Sequence, residues 1–288
     1  MTLLPRLLVT GAGGSIGRRL RARLDSDGFD VSYIVSTRAD SPSGDSRADV
    51  VDITDIAGLN SVVEKRKPNV ILHLAAVSGA ACEADAARAL AVNVDAVRDL
   101  SVIAQRHGVS RCVLASTAAV YGDQYNSPVS ETGEIVTASL YAHTKRQAEM
   151  VLESATESFA GFSSVALRIF NVYGPGMVGS LANRLVDARE GSPVALAGLD
   201  TFVRDYVHVD DVVEAMVRAA VSALPTPWLV VNVGSGVPMS NRELVAALAP
   251  VYFSTADPRS SYSCADTDAA RRAFGFIVSR KVNRSSVY

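Results

Sequence analysis

At 288 residues the chain is long enough for one large or two small domains around a substantial core. Hydrophobic residues make up 48% and charged residues 20%, the balance of a globular protein rather than a disordered one. The net charge of −2, with Lys and Arg thinly spread, gives no electrostatic footprint for nucleic acid, and no apolar run is long enough to span a bilayer.

The cysteines, Cys82, Cys112 and Cys264, are odd in number and widely spaced. Neither a disulfide framework nor a metal site is expected from them. The opening residues run straight into an apolar strand pattern without a signal-peptide arrangement, so a cytoplasmic location is expected.

The spacing predicts a strand over Arg6–Thr10 and a helix over Ser15–Ser26, closed by Asp27-Gly28. Between them stand Gly11, Gly14 and Gly17. A glycine turn feeding a helix N-terminus lets a pyrophosphate approach backbone N–H groups at the positive end of the helix dipole. Taken alone, the cluster also fits an ordinary tight turn.

Strands follow at Val31–Val35, Ala48–Val51, Val70–Leu74, Arg111–Ala115 and Ser164–Ile169. Helices are predicted over Ile56–Lys65, Glu83–His107 and Tyr141–Ser154. This alternation argues for an α/β fold with an open parallel sheet covered by helices on both faces. In such sheets ligands bind beyond the carboxyl ends of the strands. Gly11, Arg38, Asp52, Ala75-Ala76, Ser116-Thr117 and Asn171 all fall at those ends. After Phe170 short elements alternate with glycines and prolines. The expected division is a dinucleotide-binding domain over 1–170, with segments around 201–233 returning to it, and a mainly substrate-binding domain over 171–288. The tail from Asn283 is expected to fray.

Tyr141 and Lys145 stand at i and i+4 on one predicted helix, which places both on one face. A neighbouring ammonium stabilises a phenolate and lowers its pKa, so such a pair can move a proton to or from an alcohol oxygen. Thr117, at a predicted strand end, offers a hydroxyl to the same oxygen. An ordinary helix surface and a turn hydroxyl are the alternatives for each in isolation.

The ordered set of motifs resembles the extended short-chain dehydrogenase/reductases that act on nucleotide-diphosphate sugars, the NAD-dependent epimerase/dehydratase type. It comprises Thr10-Gly11-x-x-Gly14-x-x-Gly17, Asp52-Ile53, His73-Leu74-Ala75-Ala76, Asn93, Ser116-Thr117-Ala118-Ala119-Val120-Tyr121-Gly122 and Tyr141-x-x-x-Lys145. Arg168 through Pro175, Arg204 through Asp211 and Asn232-Val233-Gly234-Ser235-Gly236 continue it over nearly the whole chain.

The resemblance implies a Rossmann-type doubly wound sheet with a smaller, partly interleaved α/β substrate domain. It implies that Gly11, Gly14, Ser15, Ile16 and Gly17 hold the cofactor pyrophosphate, and that Asp52 and Ile53 flank the adenine. Leu74, Ala75 and Ala76 would lie along the nucleotide, and Asn93 would hold its helix near the site. Tyr141 becomes the general acid/base, with Lys145 on the nicotinamide ribose and Thr117 in the Ser/Thr position. Ser78, Thr117, Asn171, Arg204 and Arg259 are implied for the substrate, and a homodimer built on two helices per subunit is expected.

Two departures stand out. Where NAD-dependent relatives carry an acid at the end of the second strand, this chain has Ser36-Thr37-Arg38. An arginine there can accommodate a 2′-phosphate, which favours NADP(H) over NAD(H). After Thr117 stand Ala118-Ala119 rather than an acidic pair, so dehydratase activity is not expected. The expected activity is therefore an NADPH-using 4-ketoreductase of a nucleotide sugar. The alternatives are a 4-epimerase with tightly held NAD, and a silent NADP-binding sensor or scaffold on the same fold.

Overall fold

The computed structural model describes residues 5–37, 45–255, 257 and 259–288. The chain begins with β1 (Leu7–Thr10), α1 (Ser15–Ser26), β2 (Val31–Val35), β3 (Ala48–Val50), α2 (Ile56–Arg66) and β4 (Val70–His73). There follow α3 (Ala80–Ala84), α4 (Ala86–Leu90), α5 (Ala96–Arg106), β5 (Arg111–Thr117), α6 (Leu140–Ser158) and β6 (Ser163–Ile169). The last part holds β7 (Asn171–Tyr173), α7 (Leu181–Val186), β8 (Val194–Ala197), β9 (Phe202–His208), α8 (Val209–Val221) and β10 (Trp228–Val233). It ends with β11 (Pro238–Ser240), α9 (Asn241–Leu248), β12 (Tyr252–Thr255), β13 (Ser261–Ser263) and α10 (Asp268–Phe274).

Seven strands form one parallel sheet in the order β3-β2-β1-β4-β5-β6-β10. The order reverses between β1 and β4, and crevices open at such a reversal. Successive side chains of β1 point to opposite faces. Leu7 and Val9 pack with Leu20 and Leu24 of α1, Val212 and Met216 of α8, and Phe274 of α10. Leu8 packs on the other face with Leu59 and Val63 of α2, Leu100 and Ile103 of α5, and Leu152 of α6. A second sheet runs β11-β9-β13, with β7 pairing the end of β9, and β12 pairs β8. Its core gathers Tyr173, Leu185, Leu196, Tyr206, Leu244 and Leu248.

Two local expectations change. The single helix predicted over Glu83–His107 is broken into α3, α4, a π-helical turn at Ala91–Asp95, and α5. Asp85 leaves helical geometry and caps the next segment, its carboxylate accepting from Arg88 N at 2.9 Å. The wider turn holds Asn93, and such bulges tend to aim a functional side chain. Nor is the tail frayed. Asn283 and Ser286 cap each other, His208 Nε2 lies 2.9 Å from Ser286 O, and Val287 is buried in the second core.

Between β6 and α6 lies a buried polar network. Glu149 is fully enclosed and accepts from Arg168 Nη2 at 2.8 Å, Arg168 Nε at 3.1 Å, Ser116 Oγ at 2.5 Å and Arg146 Nη1 at 3.1 Å. Arg168 Nη1 also donates to Tyr121 Oη at 2.8 Å, and that hydroxyl donates to Asn232 Oδ1 at 2.8 Å. The guanidinium charge needs this carboxylate, since an unpaired buried charge is costly.

Candidate active site

Gly11 follows β1 with φ +67°, and a Cβ there would sit 2.5 Å from Ala75 N. Only glycine lets the turn lie this close to the chain leaving β4. At Gly17 a Cβ would come 2.3 Å from Gly11 O, so this glycine serves the packing of α1 on the turn. It does not reach the cleft wall as expected, and Ile16 likewise packs half-buried against the core. Gly14 caps α1 without a side-chain acceptor, which leaves first-turn N–H groups for a ligand.

A cleft of about 370 Å³ runs from this turn over the sheet, lined by Gly11, Gly14, Ser36, Asp52, Ile53 and Arg88 among others. Leu74, Ala75 and Ala76 also line it, beside Gly11. Asp52 accepts from Thr54 N at 2.9 Å and from Arg88 Nη2 at 2.8 Å, and these bonds hold its carboxyl down at about 2. Arg88 and Val51 are lining residues that the sequence reading missed, and the charge complement of Asp52 was the available signal for Arg88. Arg38 lies outside the described residues.

Asn93 does not line the cleft. Its Oδ1 accepts from Val77 N at 2.8 Å, and its Nδ2 donates to Val77 O at 2.9 Å and Thr144 Oγ1 at 3.0 Å. It thereby ties the cleft wall to α6 one residue before Lys145. The cleft's shape, its close-packed glycine turn and its exposed helix start fit a dinucleotide.

Tyr141 and Lys145 lie one turn apart on α6, whose start is capped by Ser139 Oγ accepting from Ala142 N at 3.2 Å. The Thr117 hydroxyl, at the end of β5, lies near enough to Tyr141 to favour its phenolate. Burial pushes the phenol up to about 12, Cys82 adds to this, and Thr117 opposes it. Burial lowers Lys145 to about 8, against the upward pull of Glu149 and Cys82. The expected depression of the tyrosine by the lysine is not the governing effect here. Desolvation acts on both groups and destabilises whichever form is charged.

Two further pockets continue outward. The inner one, about 340 Å³, is lined by Thr117, Ala118, Ala119, Asp123, Asn171 and Arg204 among others. The outer one, about 450 Å³, holds Ser15, Phe202, Tyr206 and Asn241, and shares Asn171 and Arg204 with the inner one. Asn171 Nδ2 donates to Asp205 O at 3.1 Å. Phe202, Asn241 and Asp123 were not foreseen, since nothing local marks them, and Tyr206 stands in the Arg204 through Asp211 motif without a role assigned to it. Arg259 and Ser78, expected for the substrate, lie outside the lining of both pockets. Arg259 is exposed, bonds Asp257 at 2.7 Å, faces the Phe202 ring 5.9 Å away and feels the charge of Asp123. Ser78 is exposed on the loop beyond Val77 and lines neither pocket.

Residues 7–234 match the model of the NAD dependent epimerase/dehydratase family. The chain belongs to this family. Its members include a UDP-glucose 4-epimerase of Mycolicibacterium smegmatis, 35% identical over 259 residues that cover 85% of this chain and 82% of that one. A UDP-glucuronate 4-epimerase of Thermodesulfobacterium geofontis is 27% identical over 259 residues, covering 84% and 79%. Among solved structures, MoeE5 in complex with UDP-glucose and NAD superposes with a TM-score of 0.86 at 30% identity, covering 98% of this chain and 96% of that chain. The same protein is also known with UDP-glucuronic acid and NAD. Family membership makes the chain an enzyme of the extended short-chain dehydrogenase/reductase type with a dinucleotide cofactor. Among the described residues no helix is long and apolar enough to cross a membrane.

Proposed function

We propose that this enzyme is an NAD-dependent 4-epimerase of UDP-sugars. The observation that carries the reading is the position of Thr117. It lines the inner pocket and stands close enough to Tyr141 to act on its phenol, so a sugar hydroxyl in that pocket would meet the proton-transfer pair. The names of the relatives support the epimerase, and the NAD in MoeE5 supports that cofactor over NADP. The NADPH-using 4-ketoreductase suggested by Ser36-Thr37-Arg38 gives way on those grounds.

In this reading Gly11, Gly14, Asp52, Ile53 and Leu74 through Ala76 hold NAD, which supplies a reversible hydride acceptor when bound. As the phenolate, Tyr141 Oη takes the proton of the sugar 4-hydroxyl and later returns one to the same oxygen. Lys145, a cation near neutral pH, offsets the phenolate as it forms. Thr117 orients the reacting oxygen. Arg204 and Asn171, at the junction of the two pockets, meet the diphosphate. The methyl groups of Ala118 and Ala119 leave the sugar room to present either face and provide no acid for water elimination.

The same assignment gives residues 1–170, with 201–233, to the cofactor and 171–288 mainly to the substrate. A homodimer through α5 and α6 is supported by exposed Val102 and Met150 on those helices.

The test is NMR of UDP-glucose incubated with enzyme and catalytic NAD. The 4-epimer should accumulate to equilibrium without net reduction of NAD. Tyr141→Phe should lose at least ~100-fold in kcat while keeping NAD affinity within threefold. Stoichiometric NADPH consumption without epimer formation would overturn the reading.

A further inference from the structure

Asp123 is the one carboxylate in the wall of the inner pocket among the described residues, and Arg204 is the one cation. Its backbone is fixed, since Tyr262 N donates to Asp123 O at 2.7 Å. The side chain remains 61% exposed. Its Oδ2 accepts from Ser261 Oγ and from Arg204 Nη2 at 3.4 Å. Arg204 Nη2 also donates to Ser261 Oγ at 2.5 Å, and Arg204 Nη1 donates to Val203 O at 2.9 Å and Ser261 O at 3.1 Å.

Arg204 therefore serves two pockets with one charge. A diphosphate in the outer pocket draws on that guanidinium and leaves Asp123 less compensated. A sugar in the inner pocket then faces a carboxylate. Its hydroxyls can donate to Asp123, because an ionised carboxylate only accepts. A carboxylate on the sugar ring meets a like charge there, with the Arg204 cation already shared and the Arg259 guanidinium held by Asp257.

We infer that Asp123 makes the inner pocket select a neutral sugar and reject a hexuronate. The inference rests on the UDP-sugar reading above and narrows its substrate class, which the relatives leave divided between glucose and glucuronate.

The experiment is calorimetric titration of the NAD-loaded enzyme with UDP, UDP-glucose and UDP-glucuronate at fixed ionic strength. The wild type should bind UDP-glucose at least tenfold more tightly than UDP-glucuronate. Asp123→Asn should cut that ratio at least fivefold, and Asp123→Glu should keep it. Because the ratio compares two ligands with the same diphosphate, any change in diphosphate binding cancels. A wild-type ratio near one, or a ratio that Asp123→Asn leaves unchanged, overturns the inference while the epimerase reading stands. If neither sugar nucleotide binds the wild type and no epimer forms, the UDP-sugar reading falls and takes the inference with it.

Discussion

Replacing Glu149 with alanine should be among the most destabilising single changes in the chain. The carboxylate is fully enclosed and accepts four hydrogen bonds, two of them from Arg168, whose side chain is 3% exposed. Removing one partner leaves the buried guanidinium with the Tyr121 hydroxyl and the Glu131 carbonyl in place of its carboxylate, a situation that costs about 3–5 kcal/mol. For a chain of this size each kcal/mol lowers Tm by roughly 2–4 °C, so a fall of roughly 6–20 °C is expected. Urea unfolding of the wild type, Glu149→Ala, Arg168→Met and the double variant would measure it. The double variant should be more stable than Glu149→Ala, because it no longer buries an unpaired charge. A loss below about 1 kcal/mol for Glu149→Ala, or simple additivity in the cycle, would refute the reasoning. The assay also has a chemical readout, since Glu149 holds up the pKa of Lys145 one turn earlier. Without it, the lysine should titrate below about 8.

Lys145 carries its own pH signature. Its folded pKa, about 8, lies below the ordinary lysine value of 10.5, so the unfolded chain binds more protons between those values and stability rises with pH across that window. From pH 7.5 to 9.5 the wild type should gain about 2 kcal/mol relative to Lys145→Met in urea unfolding, and equal slopes would sink the assignment. Gly11→Ala places a side chain at φ +67° with its Cβ 2.5 Å from Ala75 N. Beyond about 1–2 kcal/mol of backbone strain, the turn must move from the chain leaving β4. NAD affinity by fluorescence titration should fall at least ~10-fold, and unchanged binding would show that the cradle is not where NAD sits.

The sheet was legible because each strand carries its own apolar run and each helix its own start and stop. Gly11 and Gly28 mark turns that demand positive φ, and both are found there. The Tyr141 and Lys145 pair was legible because both lie on one helix, where spacing alone fixes a shared face. Features built from distant segments were not. The break at Asp85 needs that side chain to cap α4, and the π-helical turn needs Asn93 to reach Val77 and Thr144, contacts that periodicity over Glu83–His107 does not contain. The tail looked free because Val287 is the one aliphatic residue in Asn283 through Tyr288 and shows no periodicity. Its order comes from His208 and the second core.

The carboxylates show the same limit at the level of function. Asp52 could be placed because it ends a strand at the edge where ligands bind. Asp123 follows a glycine in a loop, and on sequence alone that is a solvated turn. Its meaning comes from Arg204 and Ser261, 81 and 138 residues further along the chain, which β9 and β13 bring to the same wall. A charge in a loop is chemically informative only once its counter-charge is known. Here the counter-charge is an arginine that two pockets share. Specificity in this fold therefore sits in the pairing between the segment after β5 and the strands of the second sheet. Exchanging Asp123 alone tests that pairing more directly than exchanging any residue of the proton-transfer pair, because every sugar that reacts must use Tyr141, whereas only the contested group of the sugar must face Asp123.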